Sequence, residues 1–167
     1  MPFIRRDQTR NLLSTASADS RSDKCVQYGS LTIDNRIKTE GVEYLTEMIQ
    51  NNNFPRLEEL SLISNHIKDE GLMKLISVMK YGFLTHLRTI YLSDNKLHDE
   101  SVKQLSTVLA DRKIAGNAEL YLGCNSLSSA MIQNLVSLLY IAPPLKGEPP
   151  LKYVVLEKSN KYIVCDK

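Results

Sequence analysis

The residues of this chain that could do chemistry are three histidines, three cysteines and two Asp-Glu pairs. A zinc site would have to gather Cys25, Cys124 and Cys165, yet the chain has neither CxxC nor HxxxH spacing. An odd, sparse set of thiols makes no disulfide framework either and points to a reducing compartment. A cysteine nucleophile needs a histidine beside it, and His66, His86 and His98 read as exposed loop residues. Asp69-Glu70 and Asp99-Glu100 could suggest paired-carboxylate catalysis, but helix starts explain them better, since an acid there faces the positive end of the helix dipole. The chain contains no GxxxxGK and no GxGxxG, so nothing supports nucleotide binding. The expectation is a protein with no catalytic residue, no cofactor and no metal.

The elements that would position any functional residue are set by a repeat. Leu57, Leu60, Leu62, Asn65, Ile67, Gly71, Leu75 and Met79 return thirty residues later as Leu87, Ile90, Leu92, Asn95, Leu97, Ser101, Leu105 and Leu109. They return again as Asn117, Leu120, Leu122, Asn125, Leu127, Met131, Leu135 and Leu139, and an earlier copy shows Asn35, Ile37, Gly41, Leu45 and Ile49. Each copy changes period halfway. Apolar residues two apart mark a short strand with one buried face. Leu72, Leu75, Ile76 and Met79, like Ile132, Leu135, Val136 and Leu139, then fall on one stripe of a helix. Thr39, Asp69, Asp99 and Ser129 stand where N-caps would, with Glu40, Glu70 and Glu100 behind them. Parallel strands are expected around Leu31, Leu60, Ile90, Leu120 and Val154. The in-register asparagines should be buried and should bond backbone groups at the bend after each strand.

The strings LEELSLISNHIKDEG and LRTIYLSDNKLHDES resemble leucine-rich repeats of the ribonuclease-inhibitor-like subclass. The resemblance covers about residues 28–156 and is most specific in Leu57–Met79 and Leu87–Leu109. It implies an α/β solenoid, a short curved stack with parallel strands inside and helices outside. The first copy departs by losing one residue between Ile33 and Asn35. The fourth opens on Asn117 in place of Leu, and a late half-copy, Leu151, Val154 and Leu156, follows an insertion at 140–150. Drift in the end copies suits a stack whose caps face solvent. The organisation expected is a mobile polar tail over residues 1–24 and a repeat domain over 25–167, of about four repeats and a C-terminal capping half-repeat. Strand-rich segments around Ser159-Asn160 would form a hairpin.

Composition agrees with a globular chain. Apolar residues make up 43% of the 167 residues, charged residues 24%, and the net charge is only +2. That excess lies in residues 1–24, where Arg5, Arg6, Arg10, Arg21 and Lys24 outnumber Asp7, Asp19 and Asp23, so the body is neutral. A neutral body has no field to draw nucleic acid. The uncharged run Leu120–Leu145 is broken by Asn125, Gln133, Asn134 and Pro143-Pro144, which excludes a membrane span. Met1–Ile4 leads into Arg5-Arg6-Asp7 with no apolar stretch after it, so no secretory leader is expected. Location is expected to be cytoplasmic. The alternatives are the host cytosol, for a bacterial effector, and the mitochondrion, which the Arg and Ser of the tail suggest only faintly.

Function is then expected on the inner strand face, because residues alternating with buried leucines must point the other way. The family includes enzyme inhibitors, filament-capping proteins, GTPase regulators, immune sensors and bacterial effectors, which implies a non-enzymatic protein-interaction module. The candidate partner-binding residues are Glu59, Ser61, Ile63, Thr89, Tyr91, Ser93, Asp94, Glu119, Tyr121 and Tyr153. Tyr91 and Tyr121 should be exposed neighbours. A face with acids and tyrosines but no Lys or Arg suits a protein partner carrying a basic patch. The alternative is an assembly subunit that docks by its tail, its ends or the 140–150 loop within a cytoskeletal or effector–host complex.

Overall fold

The computed structural model describes residues 29–33, 36–111, 119–141, 153–156 and 161–164. The tail at 1–24, Cys25, Asp34, Asn35, Asn117, residues 142–150, Glu157 and Cys165 lie outside the described residues. The element order is β1 (Ser30–Thr32), α1 (Lys38–Gln50), β2 (Glu59–Ser61), α2 (Lys68–Lys80), β3 (Thr89–Tyr91), α3 (Asp99–Ala110), β4 (Glu119–Tyr121), α4 (Ser129–Ile141), β5 (Tyr153–Leu156) and β6 (Lys161–Val164). The six strands form one sheet in chain order. β1 to β5 pair in parallel, and β6 closes the sheet antiparallel to β5.

The register places Leu31, Leu60, Ile90, Leu120 and Val154 side by side. The residue lost in the first repeat is visible in space. Leu31 pairs with Leu60, yet the Lys38 N–H reaches the Asn65 carbonyl just as the Lys68 N–H reaches that of Asn95, both at 3.0 Å. Between these two points the first repeat is one residue shorter than the second, and α1 stands in register with α2 again.

One apolar core runs the length of the stack. Leu60, Leu62, Ile90, Leu92, Leu120 and Leu122 enter it from the sheet, and it is closed from the other side by Val42, Leu45, Ile49, Leu72, Leu75, Met79, Val102, Leu105, Leu109, Met131 and Leu135, all buried. No single repeat could cover its own stripe, so the stack is the unit of stability. Gly71 packs close against Ile67 and α1: a Cβ there would stand 3.0 Å from the Ile67 Cβ and 3.5 Å from Val42 Cγ2.

The described asparagines bond backbone at the bend as expected, of their own and the preceding repeat, but Asn125 is only half-buried. Asn65 and Asn95 are fully buried. Asn95 Oδ1 accepts the N–H groups of Asn65 (3.1 Å) and Ile67 (3.3 Å), and its Nδ2 donates to the carbonyls of Leu62 (2.7 Å) and Ser93 (3.1 Å). Asn125 repeats the pattern one repeat on, accepting from Asn95 and Leu97 and donating to Leu92. Each asparagine thus reaches back to its predecessor and satisfies the backbone that the bend leaves unpaired.

The expected N-caps are corrected. α1 and α2 start at Lys38 and Lys68, one residue before Thr39 and Asp69, and no side chain caps α1, α2 or α3. At α4 the cap is Ser128, not Ser129: its Oγ accepts the Met131 N–H at 3.1 Å. Asp69 and Asp99 face the following repeat instead. Asp69 accepts the His98 N–H (2.9 Å), the His98 ring Nδ1 (2.7 Å) and the Ser101 hydroxyl (2.5 Å). Asp99 takes the Ser128 N–H (2.8 Å) and hydroxyl (2.5 Å). Both aspartates stand inside the helix instead of at the cap position before it, and their carboxylates serve donors of the next repeat.

Candidate functional site

Alternation along each strand turns Glu59, Thr89 and Glu119 out of the core, where they are half-buried between fully buried leucines. They form one row with Ser30 on β1 and Tyr153 on β5, fixed by strand pairing. The next row runs Thr32, Ser61, Tyr91, Tyr121, Val155. Ile63, Ser93 and Gly123 follow two residues on.

Neighbouring strands stand about 4.8 Å apart, close to the spacing of stacked rings. Tyr91 and Tyr121 use this: their ring centroids are 4.3 Å apart with 23° between the planes. The rings are half-buried rather than fully exposed, because each covers a face of the other. The Tyr121 hydroxyl donates to Glu119 Oε2 at 3.3 Å. Partial burial, then the Glu119 carboxylate and the Tyr91 ring push the Tyr121 phenol up to about 12. Partial burial and the charges of Glu59 and Glu119 raise that of Tyr91 as well. Both rings therefore remain neutral hydrogen-bonding groups across the physiological range.

Ile63 is 40% exposed and adds apolar area beside the stack. Asp94 is exposed at the rim, in the left-handed region with φ +56°. Ser61 and Ser93 differ from expectation. Each is buried, because a side chain ending at Oγ does not rise to the level of Tyr91 or Ile63, so they form the floor of the face. Tyr153 holds its expected place in the strand register, opposite Glu119.

None of the described positions on this face is Lys or Arg. The cations gather at the edge where strands turn into helices: Arg36, Lys38, Lys68 and Lys96 are all exposed there, and all four have φ between +50° and +61°. Arg88, at the opposite edge, is engaged by Glu58 at 3.6 Å.

The structure brings one constellation together that the sequence did not reveal, Asp69 with His98 and Ser101. It has the residue types of a hydrolytic triad but not the order of hydrogen bonds. A nucleophilic serine gives its proton to the histidine. Here the Ser101 hydroxyl is directed at Asp69 Oδ1 and at the His98 carbonyl (3.1 Å), and the residue is buried. The carboxylate is the hub of an inter-repeat clip. Partial burial acts to raise the Asp69 pKa, but the hydrogen bonds from Ser101, the His98 N–H and the His98 ring outweigh it and hold the carboxyl below its ordinary value. Ser128 lowers Asp99 in the same way. The signal in the sequence was the spacing of Asp69 to His98 and Asp99 to Ser128, one short of the repeat length.

Among the described residues no group of His, Cys, Asp and Glu could hold a metal ion, and no helix is long and apolar enough to cross a membrane. Cys124 is exposed in the bend after β4, with φ +55°.

A family model described as Leucine Rich repeat matches residues 55–75 and 83–106. Those segments hold β2 with the first half of α2, and β3 with most of α3, the two repeats whose asparagines are fully buried. Together with the parallel strand–helix stack they establish the fold as an α/β leucine-rich-repeat solenoid. None of the curated proteins compared with the chain matches it.

Proposed function

We propose that this chain is a non-enzymatic protein-interaction module that holds a protein partner on its concave strand face. The observation that carries the reading is the Tyr91–Tyr121 stack, presented on paired strands with Glu59 and Glu119 beside it and Ile63 below. Rigid aromatic area with hydroxyl and carboxylate groups at its rim is the make-up of a binding surface. Leucine-rich repeats in general mediate protein–protein interaction, which supports the same conclusion. Helices of 12 or 13 residues in all four described repeats support the ribonuclease-inhibitor-like subclass.

The test is site-specific photo-crosslinking in extracts of the parent cell. A benzophenone side chain at Ile63 should capture a defined protein, and the same group at Met73, exposed on the outer helix surface, should not. The double change Tyr91→Ala and Tyr121→Ala should weaken binding of the captured protein by about 2 kcal/mol or more if the rings are hot spots. A second reading, an assembly subunit, draws on Tyr81, 79% exposed, and Phe83, 42% exposed, in the turn between α2 and β3. Capture from Tyr81 but not from Ile63 would favour it.

A further inference from the structure

The charge and shape of the concave face restrict what its partner can present, an inference that rests on the concave-face reading above. Glu59 and Glu119 flank Thr89 on adjacent strands. They are therefore about 10 Å apart, two strand spacings. Tyr91 lies on the central strand of the three, one position diagonal to both. One face of its ring is covered by Tyr121. The other looks along its row toward Ser61 and Thr32, which are short. An aromatic face over a small neighbour, with the Glu59 carboxylate on that neighbour's own strand, is complementary to a planar cation.

We propose that the partner is a protein segment that lays an arginine side chain on the open face of Tyr91, over Ser61, its guanidinium paired with Glu59. Arginine fits better than lysine on two counts. Its delocalised, weakly hydrated plane stacks on an aromatic ring, and its fork of N–H donors meets a carboxylate in two parallel bonds. Among the described residues this face carries no Lys or Arg to compete, and Arg88, just before β3, pairs with Glu58. Glu119 lies on the covered side of the ring pair, where the Tyr121 hydroxyl donates to it, and contributes only its charge to the field of the face. The neutral phenols add no repulsion to an incoming cation.

The probe is a blocked pentapeptide, acetyl-Gly-Arg-Gly-Arg-Gly-amide, titrated into the full chain labelled for NMR, with the lysine and citrulline versions beside it. Citrulline keeps the shape and most of the hydrogen bonding of arginine and removes its charge. The expected result is saturable shifts of the Tyr91 and Tyr121 ring signals by the arginine peptide, about tenfold weaker binding for lysine, and none measurable for citrulline. Glu59→Gln should weaken arginine binding at least tenfold while the melting temperature holds, since the side chain is only half-buried, and Glu119→Gln on the covered side should weaken it less. Tyr91→Leu, which keeps bulk and removes the π face, should do the same. Equal affinity for arginine and citrulline overturns the proposal. So do shifts centred on the outer acids Glu40, Glu70 and Glu100, and so does the absence of any shift at millimolar peptide. The crosslink at Ile63 separates the two levels. A protein captured there whose binding is insensitive to Glu59→Gln leaves the concave-face reading standing and removes the arginine.

Discussion

The joint between the second and third repeats is fastened twice, by Asn95 on the inside and by Asp69 at the outer edge, and the two fasteners are opposites. Asn95 belongs to the later repeat and reaches back. It is fully buried, uncharged, and both accepts and donates. Asp69 belongs to the earlier repeat and reaches forward. Its side chain is 38% exposed, ionised, and only accepts. The difference follows from solvent. In the dry bend the backbone leaves both N–H and C=O groups unpaired, and only a neutral amide can serve both without the cost of burying a charge. At the wet edge, N–H and hydroxyl donors of the next repeat need an acceptor, and a carboxylate that keeps part of its hydration makes the stronger bond. A repeat protein thus uses two chemistries at one joint, one indifferent to pH and one responsive to it.

The largest effect is expected from the buried fastener. Asn95→Ala would orphan the N–H groups of Asn65 and Ile67 and the carbonyl of Leu62, and should cost about 3 kcal/mol in denaturant unfolding. Asn95→Asp sharpens the point. A carboxylate could accept but not donate, and would be buried, so the loss at pH 7 should match or exceed that of alanine. It should shrink as pH falls and the acid regains a proton to donate. Stability of either variant within 0.5 kcal/mol of the parent, an order-of-magnitude margin, would reduce the asparagines to ordinary loop residues.

The exposed fastener should matter less and should carry a pH signature. Asp69→Asn keeps the shape and one acceptor oxygen, and is expected to cost about 1 kcal/mol at neutral pH, in the range of a partly exposed charged pair. Because the Asp69 and Asp99 carboxyls are held below their ordinary value in the folded state, their contribution is present above the unfolded carboxylate range. It is lost as pH falls through the lower folded values. The parent should therefore lose stability below about pH 4, and Asp69→Asn combined with Asp99→Asn should flatten that slope. Asn95→Ala should lower the whole curve without changing its shape. A double aspartate variant with the parent's acid slope would show that the clip carries no linkage.

The legibility of the two fasteners from sequence differs for the same physical reason. Asn65, Asn95 and Asn125 stand in a fixed place after LxL, and a polar residue locked among aliphatics has few roles open to it, so the burial of Asn65 and Asn95 was readable, while Asn125, in the last full repeat, stays half-buried. The strand register followed from the leucines, and even the lost residue of the first repeat was visible as a gap before Asn35. Asp69 and Asp99 were misassigned as caps because a helix start offers a local explanation, and nothing local contradicts it. Their true partners, His98 and Ser128, lie nearly a full repeat away and become neighbours only once the repeats stack. Burial of Ser61 and Ser93 was hidden for a related reason: alternation gives the direction of a side chain but not whether taller neighbours shade it. The Tyr91–Tyr121 stack was legible because strand spacing alone brings equivalent residues to ring-stacking distance.

The smallest effect tests the comparison most finely, since the first and second repeats differ at the outer edge by one side chain. Thr39 holds the helix position of Asp69. It donates its hydroxyl to the Ile67 carbonyl at 3.0 Å, where Asp69 accepts the His98 N–H. The peptide that follows the aliphatic residue thus shows its C=O to a hydroxyl in one joint and its N–H to a carboxylate in the other. Lys68 accordingly sits in the left-handed region at φ +56°, and its N–H goes to the Asn95 carbonyl, whereas His98 is extended at φ −116°. A donor or an acceptor at this position of one repeat thus goes with a different backbone in the next, and the expectation is that the side chain sets it. Glycine relieves a left-handed residue of about 1 kcal/mol but loses 0.5–1 kcal/mol of order anywhere else, as rough figures. Lys68→Gly should then be the more stable choice over Lys68→Ala, and His98→Ala over His98→Gly, each by up to about 1 kcal/mol. Introducing Thr39→Asp should turn the peptide after Ile67 over and reverse the preference at Lys68, so that alanine becomes the better residue. If glycine remains better at Lys68 in the Thr39→Asp background, the strand-to-helix turn fixes its own conformation, and the side chain at the preceding repeat only adapts to it.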